Sequence, residues 1–292
     1  MPLPAYGDLS KAANDLINKD FYHTQAGMLH LPANLEVKLK APNGANVTVK
    51  GKQAFDGATT ASLEGKYTLK PQGITVTQGW TTAALLDTKV EFASLMSQPV
   101  KAEFQNLFNP NAPSKAAQKL NLTFKQPNLH ARAFLDHSAA GNINALIDAT
   151  VGHEGFVAGA EAGYDVSKAA ITRYSAGLGY QAPTFTASLI AMQNLSVLAA
   201  SYYQKVNSNV EAGAKATYDL QGGKSVGLEV ASKYKLDPLS FAKAKINDRG
   251  IAALAYNTKL NAGTTFGVGL SLDTNKLNEA GHKIGTSFVF EG

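Results

Sequence analysis

Val210-Glu211-Ala212-Gly213-Ala214-Lys215-Ala216-Thr217-Tyr218 alternates without a break. Val210, Ala212, Ala214, Ala216 and Tyr218 fall on even positions; Glu211, Gly213, Lys215 and Thr217 fall between them. A two-residue period sends such sets to opposite faces of a β-sheet. The same period runs outward in both directions. Val226 to Lys235 sets Val226, Leu228, Val230 and Tyr234 against Glu229, Lys233 and Lys235. Phe266, Val268, Leu270 and Leu272 oppose Gly267, Gly269 and Ser271, and Ile74, Val76 and Trp80 oppose Thr75, Thr77 and Gly79. Turn residues punctuate the strands at Pro42-Asn43-Gly44, Pro71-Gln72-Gly73, Ala140-Gly141-Asn142, Asp248-Arg249-Gly250 and Asn261-Ala262-Gly263. No second helix and no interdomain linker interrupts this pattern.

The first segment differs. Leu9, Ala13, Leu16 and Ile17 stand at i, i+4, i+7 and i+8, one apolar helical stripe. Asp8, Lys11, Asp15 and Lys19 lie opposite it, with the spacing of Asp8–Lys11 and Asp15–Lys19 ion pairs. The reading is one amphipathic helix in residues 1–22, too short to stand alone, followed by one β-domain over residues 23–292.

Composition narrows what such a sheet can be. The chain has 292 residues, 45% hydrophobic and 17% charged, with 26 glycines. The longest apolar runs, Ile251 to Tyr256 and Val197 to Ala200, are strand-sized. None approaches the roughly 18 residues of a spanning helix, which excludes a helical membrane protein. There is no cysteine, so disulfides, zinc ribbons and thiol catalysis are excluded. Met1 to Asp20 has no apolar secretory core, and its Asp8, Asp15 and Asp20 are foreign to a matrix presequence. A bacterial outer-membrane route is therefore not expected. The net charge of +5 fits either a solvated surface or a channel that attracts anions.

Two architectures accommodate the alternation. A soluble sandwich or barrel turns the apolar face inward; a membrane barrel turns it to lipid and keeps a wet polar lumen. The apolar faces are modest, rich in Ala, Val and Leu. The polar faces carry isolated charges among Gly, Ser and Thr, and open sheets of this size close or split. These features favour the membrane barrel, with Tyr67, Trp80, Tyr180, Tyr202, Tyr218, Tyr234 and Phe290 as interfacial aromatics. Alternation then assigns Lys101, Lys119, Lys125, Arg173, Lys215, Lys233, Lys235, Lys243, Lys245 and Lys283 to the lumen. Glu64, Glu91, Glu103, Glu161, Glu211 and Glu229 share it. Gln78 stands on the apolar face between Val76 and Trp80. Other motifs carry no chemistry: Gly177-Leu178-Gly179 and Gly267-Val268-Gly269 precede no helix and read as small lumen residues, and His153-Glu154-Gly155 reads as a turn. No nucleophile–base set and no cofactor motif is present.

The stretch Tyr234 to Asp248, followed by Ala253-Leu254-Ala255-Tyr256, resembles the signature of the eukaryotic mitochondrial porins, the voltage-dependent anion channels, and is most similar to fungal members. Tyr6 to Leu9, Leu16 to Tyr22, Ser201 to Asn207 and Gly281 to Lys283 extend the resemblance over the whole chain. His30 to Ala33 departs from it by a few extra residues. The resemblance implies an all-β transmembrane barrel of about 19 strands, antiparallel except for a parallel first and last pair, with the N-terminal amphipathic helix in the lumen. It implies a voltage-gated, weakly anion-selective channel for ions and small metabolites, adenine nucleotides included, across the mitochondrial outer membrane, and no enzyme. The implied partners are membrane lipid, inorganic anions and cations, ATP, ADP and other small anionic metabolites, and further copies of the chain, with no nucleic acid in the primary role. Lys11 and Lys19 resemble residues linked to nucleotide phosphates; solubilising charge paired with Asp15 is the alternative. Asp8, Leu9, Lys11, Asp15, Leu16 and Lys19 make up the implied gating helix. Lys283-x-Gly285-x-x-Phe288-x-Phe290 resembles a barrel-insertion signal, or is simply a last alternating strand.

Overall fold

Nineteen strands pair edge to edge in one closed sheet. The computed structural model describes residues 2–22, 33–53, 59–94, 99–113, 116–222, 225–278 and 282–292. In chain order the strands are β1 (Ala33–Lys40), β2 (Asn46–Gln53), β3 (Thr59–Leu69), β4 (Ile74–Thr81), β5 (Leu86–Phe92), β6 (Val100–Phe108) and β7 (Ala117–Lys125). They continue as β8 (Leu129–His137), β9 (Ile143–His153), β10 (Phe156–Asp165), β11 (Ala170–Gln181), β12 (Phe185–Met192) and β13 (Val197–Lys205). The last six are β14 (Val210–Asp219), β15 (Ser225–Asp237), β16 (Ser240–Asn247), β17 (Ile251–Asn261), β18 (Thr264–Asp273) and β19 (Lys283–Glu291). Each strand pairs antiparallel with its sequence neighbour. The closing pair β1–β19 is parallel, running from Ala33↔Thr286 to Lys38↔Glu291. Closure leaves no unpaired edge, the condition for a sheet in hydrocarbon. No helix among the described residues is long and apolar enough to cross a membrane. The extra residues at His30 to Pro32 lie outside the described residues, and Ala33 opens β1.

The alternation has a definite sense. Large apolar side chains point away from the barrel axis and are exposed in the isolated chain, among them Trp80, Ile147, Phe156, Leu178 and Leu254. This is the reverse of a soluble fold. Tyr180 bridges Phe156 and Phe185, with ring centroids 4.8 and 5.7 Å away, and Phe185 meets Tyr202 at 6.0 Å, an aromatic band near the strand ends. Along the outer wall one row is polar. Gln78, Thr88, Asn106, Gln118 and His137 sit directly opposite one another from β4 to β8.

The buried apolar residues lie under the N-terminal segment. Leu3, Tyr6 and Leu9 pack on Val157 and Ile190; Leu16 and Ile17 on Ala231; Phe21 on Ala253 and Ala255. The segment thus lies inside the barrel against β9 to β17, with its apolar stripe on the wall.

It is not one helix. A 3-10 turn (Tyr6–Asp8) is followed by α1 (Lys11–Asn18), so Asp8 and Leu9 lie outside the α-helix. Ser10 makes the break: its backbone leaves the helical region, its carbonyl accepts from the Asn14 N–H, and its Oγ accepts from Asn14 Nδ2 at 2.9 Å. Several wall glycines make room for the segment, among them Gly159 and Gly213. A Cβ at Gly159 would stand 3.0 Å from the Tyr6 ring, and one at Gly213 would stand 2.9 Å from Leu16 Cδ2.

Candidate pore lumen

The wall residues that touch α1 fix which face is the lumen, and register carries that assignment around the barrel. Lys215 Nζ donates to Asn14 Oδ1 at 3.1 Å, so the odd positions of β14 face inward. Lys215↔Glu229, Lys233↔Lys243 and Lys245↔Ala253 place β15, β16 and β17 in the same phase. Gln105↔Lys119, Lys101↔Thr123 and Thr123↔Arg132 do so for β6, β7 and β8, and Lys125 follows on the same face of β7. Arg173 and Glu161, 3.2 Å apart, share the inner face of β10 and β11. Lys235 lies beyond Lys233 on the same face, and Lys283 lies on the inner face of β19, opposite Ser271. Lys11 opens α1 and Lys19 follows its last residue, both with exposed side chains.

The charges are not spread evenly. Lys233, Lys243 and Lys245 form a cationic band on β15 and β16. Lys233 stands 4.3 Å from the Phe241 ring centroid, and Lys245 stands 4.8 Å from that of Phe21. Among the described residues no acid lies within 4.0 Å of Lys101, Lys125, Lys215, Lys233, Lys245 or Lys283, while Lys235 reaches Glu211 at 3.8 Å. Lys11 and Lys19 are tied to Asp8 at 3.4 Å and Asp15 at 2.8 Å. The Asp15 carboxylate holds the Lys19 ammonium above the usual lysine range. Across the barrel, Lys89 sits between Glu91 at 2.7 Å and Glu103 at 3.7 Å. The lumen therefore has a cationic wall at β14 to β16 and a mixed, more acidic wall at β5 and β6.

Three inner residues beside the segment, His130, Arg132 and Thr150, escaped the sequence reading, and Lys243 was read as lining the lumen but not as holding the segment. Lys243, nearly fully buried, donates to the Lys19 carbonyl at 2.8 Å and the Asp15 carbonyl at 3.2 Å. It caps the C-terminal end of α1 and approaches Asp20 at 3.4 Å. Thr150 Oγ1 donates to the Pro4 carbonyl at 2.6 Å, and His130 Nδ1 lies 3.3 Å from the Leu3 carbonyl. Arg132 grips Asp148 with three hydrogen bonds of 2.7 to 3.0 Å. His130 and Arg132 alternate with Ala131, Ala133 and Leu135, so their face was readable; their partners depend on register and on the path of the N-terminus.

Comparison with known proteins agrees with this geometry. The family described as Eukaryotic porin matches residues 3–285. The mitochondrial outer membrane protein porin of Neurospora crassa is 56% identical over 291 residues, covering 100% of both chains. That of Candida albicans is 46% identical over 98% of each. The non-selective voltage-gated ion channel 1 of Saccharomyces cerevisiae is 38% identical over 100% of each.

Proposed function

The chain belongs to the eukaryotic porin family, and from that premise we propose that its lumen passes small anionic metabolites, ATP and ADP included, somewhat more readily than cations. It is a voltage-gated channel of the mitochondrial outer membrane, not an enzyme. A pore of this kind needs width and a wall that does not trap its solute; a closed sheet of this size supplies the width. The bias towards anions rests on one observation: Lys215, Lys233 and Lys245 face the water of the lumen with no acid within 4.0 Å among the described residues. These charges act across water, so the preference is mild, in keeping with the word non-selective in the yeast relative's name. In a planar bilayer with a potassium chloride gradient, the reversal potential should carry the sign of anion preference. It should shrink as salt rises from about 0.1 to 1 M, because the screening length falls from about 10 to 3 Å. A preference of the opposite sign, or one indifferent to salt, would refute this reading. Lys11 and Lys19, each held by an acid, are proposed to contribute less than the β14 to β16 band.

Contact between copies of the chain is proposed from the polar outer row. Gln78 and Thr88 satisfy each other at 2.9 Å. Asn106, Gln118 and His137 make no side-chain hydrogen bond among the described residues. Amides are self-complementary, and a two-fold pair of barrels would bring like residues together at one depth. Asn106→Leu with Gln118→Leu should lower the cross-linked dimer fraction in lipid vesicles several-fold. An unchanged fraction assigns the row to lipid headgroups or water instead.

A further inference from the structure

The chain has no cysteine, and among the described residues Met192 holds the one sulfur atom. It is the last residue of β12, on the inner face two positions beyond Ile190. Its side chain packs on the cluster of Leu3, Tyr6, Leu9, Val157 and Ile190, where the start of the N-terminal segment meets the wall. It is half-buried rather than enclosed. A crevice of about 480 Å³ runs between the segment and the wall here. Met192 lines it together with Ser10, Asn14, Ser175 and Lys215, whose polar groups keep it wet. The thioether therefore has apolar packing on one side and lumen water on the other. The strand end that carries it is fixed. Gln193, Asn194 and Leu195 all take left-handed backbone angles, with φ of 52, 59 and 63°. Asn194 exchanges two hydrogen bonds with the Tyr174 backbone: its N–H donates to the carbonyl at 3.1 Å, and its Oδ1 accepts from the N–H at 3.0 Å. A change at the sulfur is thus not absorbed by the wall and passes to the segment.

We propose that Met192 is an oxidation site, and that its conversion to the sulfoxide by hydrogen peroxide loosens the nearby part of the N-terminal segment from the wall. A small, uncharged peroxide enters a lumen of this width. The sulfur lone pair takes one peroxide oxygen; the O–O bond breaks, and the other oxygen leaves as water after proton transfer. Sulfur gives up two electrons and the peroxide gains them. A flexible apolar side chain becomes a polar one with a strong acceptor oxygen. That oxygen draws in crevice water, because burying it without a hydrogen bond is costly. Water admitted there separates Tyr6 and Leu9 from Val157 and Ile190. Thr150 still holds the Pro4 carbonyl, and Lys215 and Lys243 still hold α1. The loosened stretch is therefore the 3-10 turn (Tyr6–Asp8) and Leu9 between those anchors. This goes beyond the passage of anions: the oxidant in the surrounding water sets how firmly the inner segment is held.

The test is hydrogen–deuterium exchange of the full-length channel in lipid vesicles, with and without hydrogen peroxide, read by peptide mass. In the wild type, peroxide should add one oxygen to the peptide that holds Met192. Exchange in residues 5–9, where the Asp8 and Leu9 N–H groups donate to the Ala5 and Tyr6 carbonyls, should then speed up several-fold, with α1 unchanged. Met192→Leu keeps the volume without the sulfur. It should match the untreated wild type and give no response to peroxide in residues 5–9. Large stepwise openings in planar bilayers identify channels that have folded. A Met192 left unoxidised by peroxide that oxidises free methionine overturns the site. So does an equal response in Met192→Leu, which assigns the effect to Met1, Met28 or Met96. An added oxygen with unchanged exchange in residues 5–9 overturns the loosening, and so does slower exchange, the result if the unpartnered Tyr6 hydroxyl captures the new oxygen.

Discussion

Arg132→Met should destabilise the folded barrel by about 3–5 kcal/mol, the usual result of stranding a buried charge. The Asp148 side chain is fully buried, although it belongs to the face that lines a water-filled lumen. The N-terminal segment accounts for this: Gly7 passes close to the guanidinium, and Thr150, next along the inner face of β9, holds the Pro4 carbonyl. The segment thus dries a patch of wall, and Arg132 neutralises the carboxylate that the patch contains. Three hydrogen bonds and the Phe134 ring, 5.2 Å from the guanidinium carbon, fix its geometry. Without Arg132 the carboxylate must take a proton, draw in water or lift the segment away. Arg132→Met with Asp148→Leu should recover most of the loss, since a buried pair contributes little over an apolar replacement. Urea unfolding in lipid vesicles measures both. A single variant within about 1 kcal/mol of wild type would mean that water reaches Asp148 after all.

Lys243→Met should loosen the N-terminal segment without unfolding the barrel. Lys243 Nζ reaches the C-terminal end of α1, donating to the Lys19 carbonyl and to the Asp15 carbonyl, which also accepts from the Lys19 N–H. Hydrogen bonds to a charged donor contribute about 1.5–3 kcal/mol. Losing about 2–3 kcal/mol of docking raises the detached population roughly 30- to 150-fold. Asp20 is partly exposed and can turn to water, so the figure stays below that for Arg132. Protease cleavage within residues 2–22, with the barrel intact, reads the detached population directly, and single-channel records should become noisier. Lys243→Arg should fall between the two. Equal cleavage in Lys243→Met and wild type would assign the anchoring to the apolar contacts of Leu16, Ile17 and Phe21 alone.

What the sequence made legible follows from the range of the forces involved. Alternation is local, so the inward side of Lys101, Arg173, Lys215 or Lys245 could be read from a few neighbours. The number of strands could not; it came with the resemblance. The apolar stripe at Leu9, Ala13, Leu16 and Ile17 was correct in phase, but Ser10 divides the helix, because a serine offers the backbone an alternative partner that periodicity ignores. Gly177 and Gly179 were readable as small lumen residues but not as the floor beneath Leu9, a contact about 170 residues away in sequence. Arg132 and Asp148 meet through a register set by the β8–β9 turn, and the burial of Asp148 depends on a segment from the other end of the chain. The reading failed where two distant parts of the chain had to be placed together.

The parallel seam between β1 and β19 has a consequence in time. Its partners, Ala33 with Thr286 and Lys38 with Glu291, come from opposite ends of the chain. The native ring therefore cannot be completed until β19 has been synthesised. Until then every nascent sheet carries two raw edges and an oily outer face, and long-range pairing is slow. A frameshift or stop that removes only the last strand would leave eighteen strands in which β1 and β18 have lost the partner that joins them. β19 thus serves as a completeness check, and a chain without it exposes the edges of β1 and β18 to aggregation and proteolysis.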